Sequence, residues 1–246
     1  MLPIIETPSY KLEVPSTKEI VEYRPYLVKE EKILLMALEE AGDKKDNAEF
    51  IQRATFDIIR NCTFGKVNPE NLAKFDVEYL FLNIRARSRG EEISGSFICQ
   101  NEVDGEVCGT SNSVSVNIDD IKIKYPEEDL SKVMINDEIG IQFKYLTAKE
   151  ESSYDKDSTK TDKVFKSIID SIDYIFDAEK IYKGSDTPKK DLLTFIEGTT
   201  EVVFTKIKRF FDEQPSLDHT FKYKCSKCGY EEDIKIKGIE GFFGLA

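Results

Sequence analysis

The sequence predicts an α+β protein, a mixed helical body carrying a split zinc-ribbon-like strand module. Three observations predict it. Apolar residues recur at helical spacing between about residues 26 and 89 and again from Leu192 to Phe211. They alternate at period two from Ser94 to Tyr145 and beyond Phe221, and four of the five cysteines stand as pairs inside these alternating stretches. At 246 residues the chain can bury one substantial core, or two smaller ones linked by a Cys-rich module. One body is expected over residues 26–246 behind an extended arm at residues 1–25, with the ribbon-like module drawn from residues 94–125 and 219–238.

Pro3, Pro8 and Pro15 punctuate the first twenty residues, which therefore read as an extended arm. Ile33, Leu34, Met36, Ala37 and Leu38 then form a helical stripe, with Gly42 as its stop. A second helix is expected from about Asp46 to Asn61, carrying Phe50, Ile51, Ala54, Ile58 and Ile59. Cys62 follows its apolar face and reads as a small buried hydrophobe. Asn68-Pro69-Glu70 combines a capping side chain with a proline at the first helical position, so a third helix is expected from there through Phe75, Leu80 and Ile84 to Gly90. Arg85, Arg87 and Arg89 end it. They complement the helix C-terminus and pair with the abundant carboxylates, or they form a partner-docking patch.

Val114, Val116 and Ile118, then Ile121, Ile123 and Tyr125, alternate with polar residues as half-exposed strands do, and Ile139, Ile141, Phe143 and Tyr145 repeat the period. Thr147 to Lys163 is polar and reads as a solvated loop or helix start. Ile172 to Ile181 permits helix or strand and leans to strand on Ile172, Tyr174 and Phe176, although Ile175 breaks the alternation. Leu192, Leu193, Phe195 and Ile196 begin a helix, Gly198 separates it from a second one containing Val202 to Phe211, and Pro215 ends that. Phe221, Tyr223 and Cys225, with Ile234 and Ile236, close the chain as strands around a cysteine turn.

Lys and Arg number 35 against 47 Asp and Glu, a net charge of −12, which opposes generic attraction to a phosphate backbone. No apolar run is long enough to span a bilayer, and the opening residues lack the basic and apolar regions of a secretory signal. An odd cysteine count fits a reducing compartment better than a disulfide framework, and the Asn61-Cys62-Thr63 sequon is expected to go unused. No catalytic residue is assigned. The sole histidine, His219, rules out HExxH chemistry and reads as a loop or packing residue. Acidic pairs such as Asp119/Asp120 read as solvated. Gly238, Gly241 and Gly244 lack a downstream helix that would make a phosphate loop, and they fit a turn around Phe242 and Phe243. Those two aromatics either cap the core or enter a partner's pocket.

The sharpest local signal is Cys225-Ser226-Lys227-Cys228-Gly229 between alternating segments. Two thiolates at this spacing can face one metal, and the glycine lets the backbone turn toward the sulfurs. Cys99 and Cys108, followed by Gly109, can supply the other half, with Asn101, Asp104 and Gly105 marking a turn enlarged within a knuckle. The long separation between the pairs is a weak objection because closure entropy grows slowly with loop length. A structural Zn2+ held by Cys99, Cys108, Cys225 and Cys228 is expected. A redox pair at Cys225/Cys228, ordinary buried thiols and a rubredoxin-like iron site are the other readings, and ligand softness does not separate zinc from iron.

The ordered combination of VEYLFLNIRARSRGEEI, CGTSNSVSVNIDDIKI and the terminal YKCSKCGYEEDIKIKGIEGFF resembles the baseplate hub subunit and hub-assembly chaperone family of T-even-like tailed phages, over most of residues 20–246. The resemblance implies a non-enzymatic structural or assembly role in the central baseplate of a contractile tail. The implied partners are other phage baseplate or tail-hub proteins, met in the host cytoplasm during assembly or within the virion tail baseplate, with no direct nucleic-acid contact and no membrane insertion. The matched positions are Cys99, Cys108, Cys225 and Cys228, Arg85 and Arg87, and Phe242 and Phe243. The widened Cys99–Cys108 spacing departs from a compact knuckle. A zinc-ribbon adaptor in a nucleic-acid-processing machine is the alternative function.

Overall fold

A computed structural model describes residues 6–41, 47–152, 154 and 159–237. The expected Gly42 stop and the terminal Phe242 and Phe243 lie outside the described residues. In chain order the elements are β1 (Tyr10–Glu13), β2 (Ile20–Tyr23), α1 (Val28–Ala41), α2 (Asn47–Cys62), α3 (Lys74–Arg89), β3 (Glu92–Ile98), β4 (Glu102–Val103), β5 (Glu106–Val107), β6 (Ser111–Asn117) and β7 (Lys122–Lys124). There follow β8 (Lys132–Met134), β9 (Gly140–Phe143), α4 (Ala148–Ser152), α5 (Lys160–Ser171), β10 (Ile172–Phe176), β11 (Ile181–Lys183), α6 (Lys189–Glu197), α7 (Glu201–Asp212), β12 (Ser216–Lys224) and β13 (Glu231–Lys237). The protein is mixed α and β, with the four paired cysteines together in its strand region. No helix among the described residues is long and apolar enough to cross a membrane.

The elements group into two compact units. The first combines the described residues of Met1–Pro69, Phe75–Lys124 and Ser216–Ala246. Within the segment expected as an extended arm, β1 and β2 pair antiparallel with Tyr10 opposite Tyr23. Val14 closes the turn by donating its N–H to Glu19 O (2.8 Å) and accepting from Lys18 N–H (2.8 Å). The turn is held to α3 because buried Asp76 accepts both the N–H (3.0 Å) and the hydroxyl of Ser16. Arg24, after β2, donates its N–H to Cys62 O at the end of α2 (3.0 Å). Its guanidinium meets Glu30, which is fully buried on α1. Cys62 is itself fully buried, as its place after an apolar face predicts.

The third helix begins later than Asn68-Pro69-Glu70 predicts. Pro69–Asn71 forms one 3-10 turn, and α3 starts at Lys74. Leu72 O accepts the Ala148 N–H (2.9 Å) and Ala73 bridges Thr147, so these backbone groups are committed to a β-type contact that a continuous helix would break. Gly90 ends α3 at φ +95°, a conformation in which a side chain is strained. Three β arrangements complete the unit: β3 with β6, β4 with β5, and a sheet in the order β13-β12-β7. The alternation through Ile118 does not run on as one strand. Residues 118–120 form a 3-10 turn capped by Asn117, whose Oδ1 accepts the Asp119 N–H (2.9 Å).

The second unit, Glu70–Lys74 with Tyr125–Pro215, is a four-stranded antiparallel sheet in the order β11-β10-β9-β8 combined with α5, α6 and α7. Its core contains Ile141 and Phe143 from the sheet, Ile168 from α5, Leu192 and Ile196 from α6, and Ile207 and Phe210 from α7. Thr159 caps α5 through reciprocal bonds with Asp162, which fixes where the polar stretch becomes helical. The strand expected over residues 172–181 is present as β10 and β11. The pairing register with β9 shifts between Ile172 and Tyr174, and this irregularity brings both Ile172 and Ile175 inward. That shift is why Ile175 interrupts the alternation in the sequence.

Candidate metal centre

Two strand-turn-strand segments of the first unit present the paired cysteines in matching geometry. At the compact one, the Cys225 N–H donates to Tyr230 O (2.8 Å) and the Gly229 N–H to Cys225 O (3.0 Å). At the wider one, the Cys99 N–H donates to Thr110 O (2.9 Å) and the Gly109 N–H to Cys99 O (3.1 Å). Gly229 and Gly109 both take positive φ, +74° and +63°, the left-handed conformation each turn requires. The extra residues of the wider turn form the β4–β5 hairpin, reversed by Asp104 and Gly105 at positive φ. The Cys108 N–H closes that hairpin on Asn101 O (2.8 Å), so it stands out as an insertion while the knuckle beneath keeps its shape. Glu102 to Val107 are all exposed.

The two knuckles meet through their sulfurs. Cys99 Sγ lies 3.7 Å from Cys228 Sγ, Cys108 Sγ lies 3.8 Å from Cys225 Sγ, and all four fall within 4.8 Å of one another. Four thiolates about 2.3 Å from a tetrahedral zinc ion stand about 3.8 Å apart, so the spacing fits the donor set. Cys99 and Cys225 are buried, and Cys108 and Cys228 are half-buried. The four residues can therefore hold a metal ion.

The electrostatics of the group favour a cation. Backbone N–H groups of Cys228 and Lys227 aimed at Cys225 pull its thiol down to about 5, although burial opposes them. Bonds from the Thr110 hydroxyl and N–H lower Cys108 as well. Cys99 is pushed up to about 11, chiefly by burial. A thiolate held among three more sulfurs at van der Waals range calls for positive charge. β13 follows Cys228 as a strand, so the pair does not sit at the helix N-terminus that activates many redox cysteines. His219 lies within β12 opposite Ile236 and outside the group. Cys62 is also outside it, and burial raises its thiol to about 12.

The three arginines at the end of α3 meet different partners. Arg87 pairs with Glu91 (3.2 Å) and lies 5.2 Å from the Tyr10 ring centroid, against the N-terminal hairpin. Arg89 reaches Glu31 on α1 (3.5 Å). Arg85 is half-buried, and burial lowers its pKa. Arg85 and Arg89, four apart, share one face of α3, whereas Arg87, two from each, faces another way.

The sequence reading missed Asn112, Thr110 and Tyr223. Asn112 is buried and Tyr223 is the largest fully enclosed side chain beside the sulfurs. Asn112 shares its strand face with Val114 and Val116. A polar residue at an inward position of a period-two strand is the signal that could have singled it out.

A family model described as T4 bacteriophage base plate protein matches residues 7–244. Comparisons with curated proteins and with solved structures found no match.

Proposed function

The chain belongs to the T4 bacteriophage base plate protein family, and from that premise we propose that it is a non-enzymatic structural or assembly component of the central baseplate, the hub, of a contractile tail. The observation that carries this reading is the family match across residues 7–244. The cysteine cluster supports it by offering a cross-link in place of a reacting centre. In this reading Cys99, Cys108, Cys225 and Cys228 hold Zn2+. Four thiolates leave such an ion no vacant position, so it ties the two knuckles together and activates no water.

The partners in this reading are other baseplate or tail-hub proteins, met in the host cytoplasm during assembly or within the virion tail baseplate. Arg85, Arg87 and Arg89, with Phe242 and Phe243, are the docking elements in this reading. The net charge of −12 disfavours adventitious nucleic-acid contact while leaving these separate elements available.

Native mass spectrometry of the untagged protein co-expressed with its neighbouring tail-assembly proteins tests the proposal, with metal content read from the same species. A metal-bearing complex with those proteins is the expected result. A zinc-bearing monomer that ignores them and binds nucleic acid in a salt-sensitive way would replace it with the adaptor reading.

A further inference from the structure

Asn112 joins the two knuckles from behind the sulfurs. Its Oδ1 accepts the Ser226 N–H (2.8 Å), and because a backbone N–H can only donate, this bond fixes which end of the amide faces the second knuckle. The Nδ2 end is then turned toward Thr110 O (3.0 Å), Tyr223 Oη (2.7 Å) and Cys225 Sγ (3.7 Å). One side chain thus spans the residue after Cys225 and the residue after Gly109. Glu232 stands at the equivalent place beyond the compact knuckle, but it accepts from the Tyr230 hydroxyl instead (3.4 Å), so the brace is made from one side. Tyr223 Oη accepts from Asn112, and the residue packs with Cys99 and Cys225 in one buried cluster. The Tyr223 ring is held in place by Phe97, whose centroid is 4.7 Å away.

We propose that Asn112 and Tyr223 are positioning residues of the metal centre. Asn112 locks the second knuckle onto the first, turns its amide N–H groups toward the Cys225 sulfur and the Tyr223 hydroxyl, and holds that hydroxyl beside the cluster. The inference rests on the metal reading above. Hydrogen bonds to ligating groups orient them and tune their basicity, and losing such a partner typically weakens metal affinity about 10–100-fold.

The test is cobalt(II) titration of the full-length protein against a competing chelator, comparing the wild type with Asn112→Leu and Tyr223→Phe. Both variants are expected to bind cobalt about 10–100-fold more weakly and to shift the thiolate-to-cobalt charge-transfer bands. A merely structural role would lower the melting temperature and leave the dissociation constant and the bands unmoved. Tyr223→Phe keeps the ring against Phe97, so it tests the hydroxyl even where Asn112→Leu fails to fold. Unchanged affinity and bands in Tyr223→Phe and in folded Asn112→Leu overturn this inference alone. A wild type that takes up no cobalt overturns the metal reading, and this inference with it.

Discussion

Replacing Glu30 tests whether the first unit is held together by a buried ion pair. The carboxylate is fully buried and receives Arg24 Nη2 (2.9 Å), Arg24 Nη1 (3.3 Å) and the Leu27 N–H (2.8 Å). In Glu30→Ala the guanidinium, 9% exposed, keeps Pro25 O (2.8 Å) but loses its counter-charge. Breaking one side of a buried pair costs about 3–5 kcal/mol, and that is the expected loss. Arg24→Met with Glu30→Leu removes both charges, so it should be less destabilised than Glu30→Ala alone, with the orphaned Leu27 N–H keeping a penalty of about 1–3 kcal/mol. The chain contains no tryptophan, so urea unfolding is best followed by far-UV circular dichroism.

The pair also has a pH signature. Burial works to raise the Glu30 pKa, but the Arg24 bond, the Leu27 N–H and the nearby positive charges outweigh it and hold the group below its ordinary value. Its contribution is therefore fully present above the unfolded value of about 4.3 and is lost as pH falls through the lower folded value. The gap between wild type and Glu30→Gln should stay level near neutrality and narrow below about pH 4. A Glu30→Ala cost under about 1 kcal/mol, or a double variant equal to the sum of its singles, would refute the reasoning.

Cys225→Ser should cut bound metal well below one ion per chain by elemental analysis and, at free zinc a hundredfold above the dissociation constant, remove about 2.7 kcal/mol of stabilisation; unchanged metal and stability would count against the site. Deleting Glu102–Val107 removes the exposed hairpin and leaves Cys-Gln-Asn-Cys, a compact spacing like that of the second knuckle. Metal stoichiometry should survive, and its loss would show that the insertion shapes the centre. A Cβ at Gly184 would lie 2.1 Å from Ile172 O, whereas at Gly140 the closest obstacle is the Phe176 ring at 2.4 Å. Gly184→Ala should therefore lower the melting temperature more than Gly140→Ala, because backbone yields less readily than a side chain.

The helices and strands were legible wherever burial has a single period. α2, α6, α7 and β9 lie where their apolar spacing puts them, because each buries one face against one core. Where a distant segment competes for the same backbone, the local reading fails. Leu72 and Ala73 pair with residues near 147, which delays α3. At β10 the period-two lean points to the strand that is present, and the register shift accounts for the break at Ile175. The N-terminal hairpin escaped for a related reason: Asp76 on α3 secures its turn, and the two are far apart in sequence.

The chain by itself singled out the cysteines that could hold a metal, because two thiols with two residues between them beside a turning glycine can face one ion, and it determined the acidic, histidine-poor character that opposes phosphate binding and HExxH chemistry. Only the tertiary structure decided that the two pairs meet. The same holds for the hairpin folded out of the wider turn and for Asn112 crossing from one knuckle to the other. The reason is one of range. Ligand type and turn chemistry are properties of a few neighbouring residues, whereas sulfur spacing near 3.8 Å brings together residues more than a hundred positions apart and depends on the distant pairing of β7 with β12.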